Sequence, residues 1–152
     1  MKLIRKSLKN RVMAPKNKNL FFRYDPLITD ASYIRECISE GYDVNSRDDY
    51  GDTVLFWAAQ DGKLDVVKEL FKSKDLDVNL CGSEGYTPLH GACLSGSIEI
   101  MELLLHKGAK VDAVDIDGYI PLYYALLCGS KELVSMLINF TFRNEYDYTP
   151  FP

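Results

Sequence analysis

The sequence predicts an all-α solenoid of stacked helix-turn-helix units joined by hairpin-like loops. Three observations lead to this prediction: a repeat of about 33 residues, helix start and stop signals at the same place in each repeat, and apolar residues at helical spacing between them. The chain has 152 residues, of which 47% are hydrophobic and 26% charged, a composition typical of one globular domain.

The repeat is visible in several columns of the sequence. Gly51, Gly85 and Gly118 lie 34 and 33 residues apart. Units of this length cannot bury an apolar face alone, but they can do so by stacking on their neighbours. The same two steps relate Gly62, Gly96 and Gly129, then Leu55, Leu89 and Leu122, and then Ala58, Ala92 and Ala125.

The middle unit carries the clearest helix signals. Thr87 is a favourable N-cap, and Pro88 follows at the first helical position, where its missing N–H is harmless. Gly96 can adopt the left-handed conformation that ends this first helix. Apolar residues at helical spacing then predict a second helix over 98–106, which Gly108 stops.

These residues resemble the ankyrin repeat family. Residues 85–113, GYTPLHGACLSGSIEIMELLLHKGAKVDA, are similar to a near-complete ankyrin unit, and residues 51–71 and 118–138 resemble weaker copies. Residues 30–48 resemble the second helix and loop of a preceding unit. The resemblance implies stacked pairs of helices and non-catalytic protein binding, as an adaptor, scaffold or inhibitor.

The outer two copies depart from the family pattern at named positions. Val54 replaces the proline, and Ile120 replaces the capping threonine, which should cost about 1 kcal/mol of helix stability. Phe56 and Tyr123 stand where the middle unit has His90. The loop hydrogen bond that the resemblance implies for this histidine is therefore expected in the middle unit and absent from the other two.

The repeat also predicts the organisation of the chain and its burial pattern. We expect Leu89, Leu104 and Leu122 to be buried, and Glu69 and Glu102 to be exposed charges on the second helices. The predicted segments are a basic N-terminal tail over 1–19 and an ankyrin repeat domain over 20–152, divided into a partial cap over 20–48, repeats over about 49–82, 83–115 and 116–144, and a partial end over 145–152.

Charge is divided unevenly along the chain. Residues 1–24 contain eight basic groups and no acidic group, so the remaining 10 basic and 22 acidic groups leave a charge of −12 on residues 25–152. Three interpretations of the tail stay open: a disordered solvated extension, a segment that binds nucleic acid or an anionic membrane surface, and a transit peptide. The spacing of Met1, Ile4, Leu8 and Val12 also permits a short amphipathic cationic helix before Pro15.

Several function classes find no support in the residues. The four cysteines form neither a CxxC pair nor a dense disulfide framework, and with only two histidines besides, a metal site is not expected. No catalytic triad order, phosphate-binding glycine loop or paired-carboxylate motif is present. We therefore predict no catalytic residue, cofactor or small-molecule substrate, and reduced thiols in a cytoplasmic or nuclear protein.

A candidate partner-binding surface follows from the resemblance. In ankyrin proteins the hairpin tips and the exposed face of the first helix form a concave binding surface. Tyrosines with interspersed carboxylates would suit a protein partner with basic and apolar groups, whereas a merely solvated loop edge is the alternative. The candidate residues are Arg47, Asp49, Tyr50, Asp52, Ser83, Glu84, Tyr86, Val114, Ile116, Asp117 and Tyr119, with Trp57 and Tyr124 of the first helices as either packing residues or partly exposed anchors.

The predicted function is therefore a non-catalytic protein–protein interaction module. One alternative is a recognition fragment of a larger enzyme assembly, such as a ubiquitin ligase. A second alternative is binding of an anionic ligand, nucleic acid or a lipid surface, through the basic residues of the tail.

Overall fold

The computed structural model of the chain describes Leu20 and residues 29–145, with side chains as far as residue 143. Three predicted segments lie wholly or partly outside the described residues: the tail over 1–19, residues 21–28 of the cap, and residues 146–152 of the end. None of the described helices combines the length and the apolar character needed to cross a membrane.

The described residues form an all-α repeat fold, as predicted. They contain seven α-helices and no β-strand, and an isolated bridge joins Arg47 to Thr53. The helices are α1 (Ala31–Ser39), α2 (Val54–Gln60), α3 (Leu64–Leu70), α4 (Pro88–Ser95), α5 (Ile98–His106), α6 (Pro121–Cys128) and α7 (Lys131–Glu145).

The helices pack in two rows. Helices α2, α4 and α6 contact one another in order and form the inner row, while α1, α3, α5 and α7 follow one another in the outer row. Each inner helix also packs against the outer helix that follows it in sequence. These contacts between units all join neighbouring units, as expected of a solenoid.

The inner helices begin and end largely where the sequence predicts. The Thr53 hydroxyl accepts a hydrogen bond from the Phe56 N–H at 3.2 Å, and α4 begins at Pro88 directly after Thr87. Helix α6 has no side-chain cap, because Ile120 stands at its N-cap. Gly96 has a φ of 73°, so the left-handed ending predicted for α4 is confirmed.

The core runs through both rows of helices. Leu89 and Leu104 are completely buried, as predicted. Leu122 is only partly buried, so the prediction of its burial was wrong. Helix α6 belongs to the last unit, and within the described residues no further unit follows to cover it.

Glu69 on α3 corrects a second prediction, because it is buried rather than exposed. Its two carboxylate oxygens accept hydrogen bonds from Nε and Nη2 of Arg35 on α1, both at 2.9 Å, and from Nζ of Lys72 at 2.7 Å. These hydrogen bonds lower the pKa of Glu69 to about 2. The bidentate pair of Arg35 and Glu69 thus joins two outer helices. The other charge predicted to be exposed, Glu102, is exposed.

Asparagine side chains join the loops that follow the outer helices. Asn45 donates through Nδ2 to the carbonyl of Asp75 at 2.6 Å and accepts from the N–H of Asp77 at 2.9 Å. Asn79 makes the same two kinds of bond to the next loop, at 3.0 and 2.9 Å. The loops are therefore held in register from one unit to the next.

Candidate functional site

The three hairpin tips stack into one continuous surface, which we call the tip row and define as residues 47–52, 81–86 and 114–119. The Ser83 N–H donates to the carbonyl of Tyr50, and the Ile116 N–H donates to the carbonyl of Glu84, both at 2.8 Å. Arg47 adds a bond from Nη1 to the carbonyl of Cys81. Backbone hydrogen bonds thus fix the position of each tip relative to the next.

Asp48 organises the first tip from within. Its Oδ1 accepts the N–H groups of Tyr50 and Asp52, at 2.9 and 2.8 Å. Its Oδ2 accepts Nε1–H of Trp57 at 3.1 Å. The indole of α2 therefore holds the carboxylate that shapes the loop, and Trp57 is only partly exposed.

The third tip repeats this arrangement with a different donor. Asp115 is buried, its Oδ1 accepts the N–H groups of Asp117 and Tyr119 at 2.9 Å each, and its Oδ2 accepts the hydroxyl of Tyr124. Burial raises the pKa of Asp115, but these hydrogen bonds outweigh it and hold the pKa below its usual range. Burial and the bond to Asp115 raise the pKa of Tyr124.

The middle tip lacks both members of this pair. Gly82 stands where the other units have the aspartate, and Gly91 stands where they have Trp57 or Tyr124. A Cβ atom on Gly82 would lie 2.0 Å from Oδ1 of Asp52, so the Asp52 carboxylate occupies the space that an aspartate would need. Burial, then the nearby charges of Asp48 and Glu84, raise the pKa of Asp52 to about 6.

The middle unit holds its hairpin through His90 instead. Nδ1 of this buried histidine accepts the Thr87 N–H at 3.1 Å, which leaves Nε2 as the protonated nitrogen facing the carbonyl of Tyr119 at 3.2 Å. Burial lowers the pKa of His90 and favours the neutral ring. The structural hydrogen bond expected for this histidine is confirmed, and Nε2 faces a carbonyl of the next unit.

The three tyrosines of the tip row differ in exposure. Tyr50 is 69% exposed and Tyr119 is 42% exposed. Tyr86 is partly buried, because its ring stacks on Phe56 with centroids 6.1 Å apart and meets Tyr124 edge-on at 5.7 Å. The sequence had placed these tyrosines side by side as equivalent residues, but the middle one belongs to an internal aromatic cluster.

Aliphatic residues dominate the third tip. Ile116 is 73% exposed, Val114 is also exposed, and the Tyr119 ring stacks on Tyr123 with centroids 4.0 Å apart. Sequence analysis missed the exposed leucines of the inner helices, of which Leu94 and Leu127 occupy the same repeat position. The first unit has polar Gln60 at this repeat position. An apolar residue that recurs at a position where the first unit is polar was a signal of exposure that the sequence contained.

The exposed charges of the tip row are mostly acidic. Asp49, Glu84 and Asp117 are exposed, Asp52 is partly exposed, and Arg47 is the cationic residue of the row. Ser83 is exposed between them. Among the described residues, no group of three His, Cys, Asp or Glu side chains is arranged to hold a metal ion.

The comparison with known families agrees with this architecture. Residues 29–115, more than half of the chain, match the sequence profile described as ankyrin repeats, in three copies. The chain belongs to the ankyrin repeat family. The predicted family and the predicted helical repeat fold are both confirmed, and ankyrin repeats are non-catalytic modules of protein interaction.

Individual relatives share parts of this repeat region. The chain is 38% identical over 78 residues to alpha-latrocrustotoxin-Lt1a of Latrodectus tredecimguttatus, which covers 51% of this chain and 5% of the toxin. It is 47% identical over 55 residues to the palmitoyltransferase akr1 of Schizosaccharomyces pombe, covering 36% of this chain and 9% of that enzyme. For the human ankyrin repeat domain-containing protein 49, identity is 39% over 56 residues, covering 37% and 23%. The chain therefore spans less than a quarter of each relative.

Proposed function

We propose that the chain is a non-catalytic interaction module that binds a protein partner on the tip row and the adjoining exposed residues of the inner helices. One observation carries the proposal. Three hairpins joined by backbone bonds present exposed aromatic and aliphatic side chains among carboxylates, with Tyr50 at one end and Ile116 and Tyr119 at the other. Large rigid side chains on a preorganised backbone give contact area at little entropic cost.

The chemistry of this surface selects a partner with basic and apolar groups. Asp49, Glu84 and Asp117 would attract lysine or arginine, while Ile116 and Val114 require apolar contact. Arg47 already donates to two carbonyls within the row, so it contributes to the shape of the surface. An acidic partner would meet repulsion along the whole row.

Trp57 and Tyr124 have a supporting role in this proposal. Tyr124 is 8% exposed and Trp57 is partly buried, and both donate to the aspartates that shape the tips. Tyr86 likewise supports the surface from below through its contacts with Phe56. A partner would mainly touch the residues that these aromatic rings hold in place.

The experiment compares affinity capture by three forms of the full chain. The first is the wild type, the second carries Tyr50→Ala and Tyr119→Ala, and the third carries Glu99→Lys and Glu102→Lys on the outer helix α5 as a matched control. Captured proteins are identified by mass spectrometry, and the melting temperature of each form is measured by circular dichroism.

We expect the tyrosine variant to lose proteins that the other two forms retain, with binding weaker by several kcal/mol, because hot-spot residues each contribute about 2 kcal/mol or more. Its melting temperature should change little, since both side chains are exposed. Loss of capture in the outer-helix variant, with the tyrosine variant unaffected, would place the binding surface on the opposite face.

A second candidate function is the recognition part of a larger enzyme. Three of the relatives are palmitoyltransferases, among them akr1 of Schizosaccharomyces pombe and Hip14 of Drosophila melanogaster, of which this chain covers only 9% and 12%. In such an assembly the tip row would select the substrate and another domain would supply the chemistry. An immunoblot of the natural protein tests this candidate, because a band matching 152 residues would rule it out.

A further inference from the structure

The acidic and apolar tip row matches a segment of the same chain. Residues 1–19, which lie outside the described residues, contain seven basic groups and no acidic group. Met1, Ile4, Leu8 and Val12 recur among these basic groups at helical spacing. A cationic segment with an apolar stripe is the kind of ligand that the tip row is proposed to bind.

The described residues show where this segment leaves the repeats. Leu20 is completely buried, and its N–H donates to Oγ of Ser46 at 2.7 Å. Ser46 directly precedes Arg47, the first residue of the tip row. Leu20, at which residues 1–19 join the described part of the chain, is therefore bonded to the residue that directly precedes the tip row.

The length of the segment is sufficient to cover all three tips. Packed helices lie about 10 Å apart, so the first and third tips are separated by about 20 Å. Nineteen residues span about 28 Å as a helix and about 60 Å when extended. Either conformation can pass Tyr50 and Glu84 and reach Ile116.

The outer helices offer a less suitable surface for the same segment. The exposed charges on these helices and at their ends are of both signs: Lys68 and Lys107 are cationic, and Glu99 and Glu102 are acidic. A cationic segment would gain little there, because attraction and repulsion compensate each other. The tip row combines a predominance of carboxylates with exposed apolar residues.

We propose that residues 1–19 bind the tip row of their own chain, so that an external partner must displace them. This inference rests on the proposed function of the row. The tail acts as an internal competitor: it covers the acidic and apolar surface until a partner with stronger contacts replaces it. The effective concentration of a tethered segment is in the millimolar range, so modest contacts suffice.

Cross-linking of the purified full chain tests the inference without a partner. A carbodiimide joins lysine to carboxylate at zero length and at low protein concentration. We expect Lys6 and Lys9 to be joined to Asp49, Glu84 and Asp117. Exposed carboxylates of α5, Glu99 and Glu102, are the internal control and should not react with the tail.

Variants and salt sharpen the result. Charge reversal of the row (Asp49→Lys, Glu84→Lys and Asp117→Lys) removes the expected acceptor sites, so tail cross-links of any kind should fall about tenfold. Reversal of Asp65, Glu99 and Glu102 to lysine should leave them unchanged. For the wild type, about 0.5 M salt shortens the screening length to about 4 Å and should reduce the cross-links similarly. Circular dichroism of each variant confirms that it is folded.

Three results would overturn the inference. The first is cross-links spread equally over the control carboxylates, or none with the row. The second is cross-links between chains in a mixture of ¹⁴N and ¹⁵N protein, which would assign the tail to a second copy. The third is binding of the tail to phosphatidylserine vesicles or DNA that is equally strong in the row-reversal variant. Since no partner is present, each of these results leaves the capture experiment, and with it the proposed function, unaffected.

Discussion

The middle unit, residues 83–115, and the last unit, residues 116–144, have the same register but different burial. Cys93 is fully buried, whereas Leu126 in the same column is 59% exposed. Leu105 is buried, and its counterpart Ile138 is 38% exposed. The next unit covers these positions in the middle of the stack, and no described unit follows the last one. Burial in this fold is therefore decided by the neighbour rather than by the residue.

The two units also hold their hairpins in different ways. The middle unit relies on His90, which connects its own loop to the carbonyl of Tyr119 in the last unit. The third hairpin tip relies instead on the hydrogen bond between Asp115 and Tyr124. At the two equivalent positions before and within α4 the chain has Gly82 and Gly91, so that bond is replaced there by the hydrogen bonds of His90.

The largest difference between the two units should appear in the core. Leu104→Ala should cost about 2–5 kcal/mol of unfolding free energy, because the completely buried side chain leaves a cavity between its neighbours. Leu126→Ala should change it by less than about 0.5 kcal/mol, since that leucine is mostly exposed. Urea denaturation followed by circular dichroism measures both.

A similar cost for both leucines would contradict the comparison. It would mean that Leu126 is covered in solution by something other than the described residues. Hydrogen exchange refines the same test, because the last unit, with one open side, should lose protection before the middle unit.

Much of this architecture could be predicted from the sequence. The repeat columns, Thr87, Pro88 and Gly96 are local signals, and local signals determine where helices begin and end. The burial of Glu69 could not be predicted, because it depends on Arg35, 34 residues away on another helix. Leu122 was misjudged for the same reason, since its cover has to come from a following unit.

The candidate site was predictable to a smaller extent. The sequence identified the tips and left Tyr124 as either a packing residue or an anchor. It missed the internal role of Tyr86, whose ring lies between Phe56 and Tyr124 of the two other units. One signal was available within the repeat itself. Aspartate at the tip occurs together with Trp57 or Tyr124, and Gly82 occurs together with Gly91. Two repeat positions whose residues change together in this way are expected to be in contact.

The second prediction concerns His90. Its replacement by Phe, the residue found at the equivalent position 56, should cost about 1–3 kcal/mol, because the buried N–H of Thr87 and the carbonyl of Tyr119 lose their partner. Tyr123→Phe in the last unit is the matched control and should be close to neutral. Thermal melting at pH 7 measures both.

The pH dependence of His90→Phe gives an independent check. Burial lowers the pKa of His90, so the unfolded chain binds a proton below about pH 6.5 that the folded chain resists. Wild-type stability should therefore fall as the pH drops below 6.5, and this part of the fall should be missing in the variant. Parallel curves for the two proteins would show that the ring is not held neutral.

The third prediction tests the hydrogen bond between Tyr124 and Asp115. Tyr124→Phe removes the hydroxyl that donates to Asp115, while the two backbone donors on the other carboxylate oxygen remain. We expect a loss of about 1.5–2 kcal/mol in unfolding free energy, because the lost donor is bonded to a charged carboxylate. The effect should disappear when Asp115→Asn is already present, because the double-mutant cycle isolates this contact. Additive losses would mean that the two side chains act separately.

The smallest expected effect lies between the first tip and the middle tip, where Asp52 occupies the space above Gly82. Because the pKa of Asp52 is raised from its usual range to about 6, the folded chain binds more protons than the unfolded chain between about pH 4 and pH 6. The charged carboxylate therefore destabilises the fold at pH 7, and the penalty is relieved as the pH falls through this window. Asp52→Asn should raise the unfolding free energy at pH 7 by about 1 kcal/mol, a figure that allows for solvent screening, and the two proteins should converge near pH 4. Asp49→Asn, on the exposed side of the same tip, is the control and should have no effect on the unfolding free energy. If Asp52→Asn were instead less stable than the wild type, the charge of Asp52 would itself hold the two tips together.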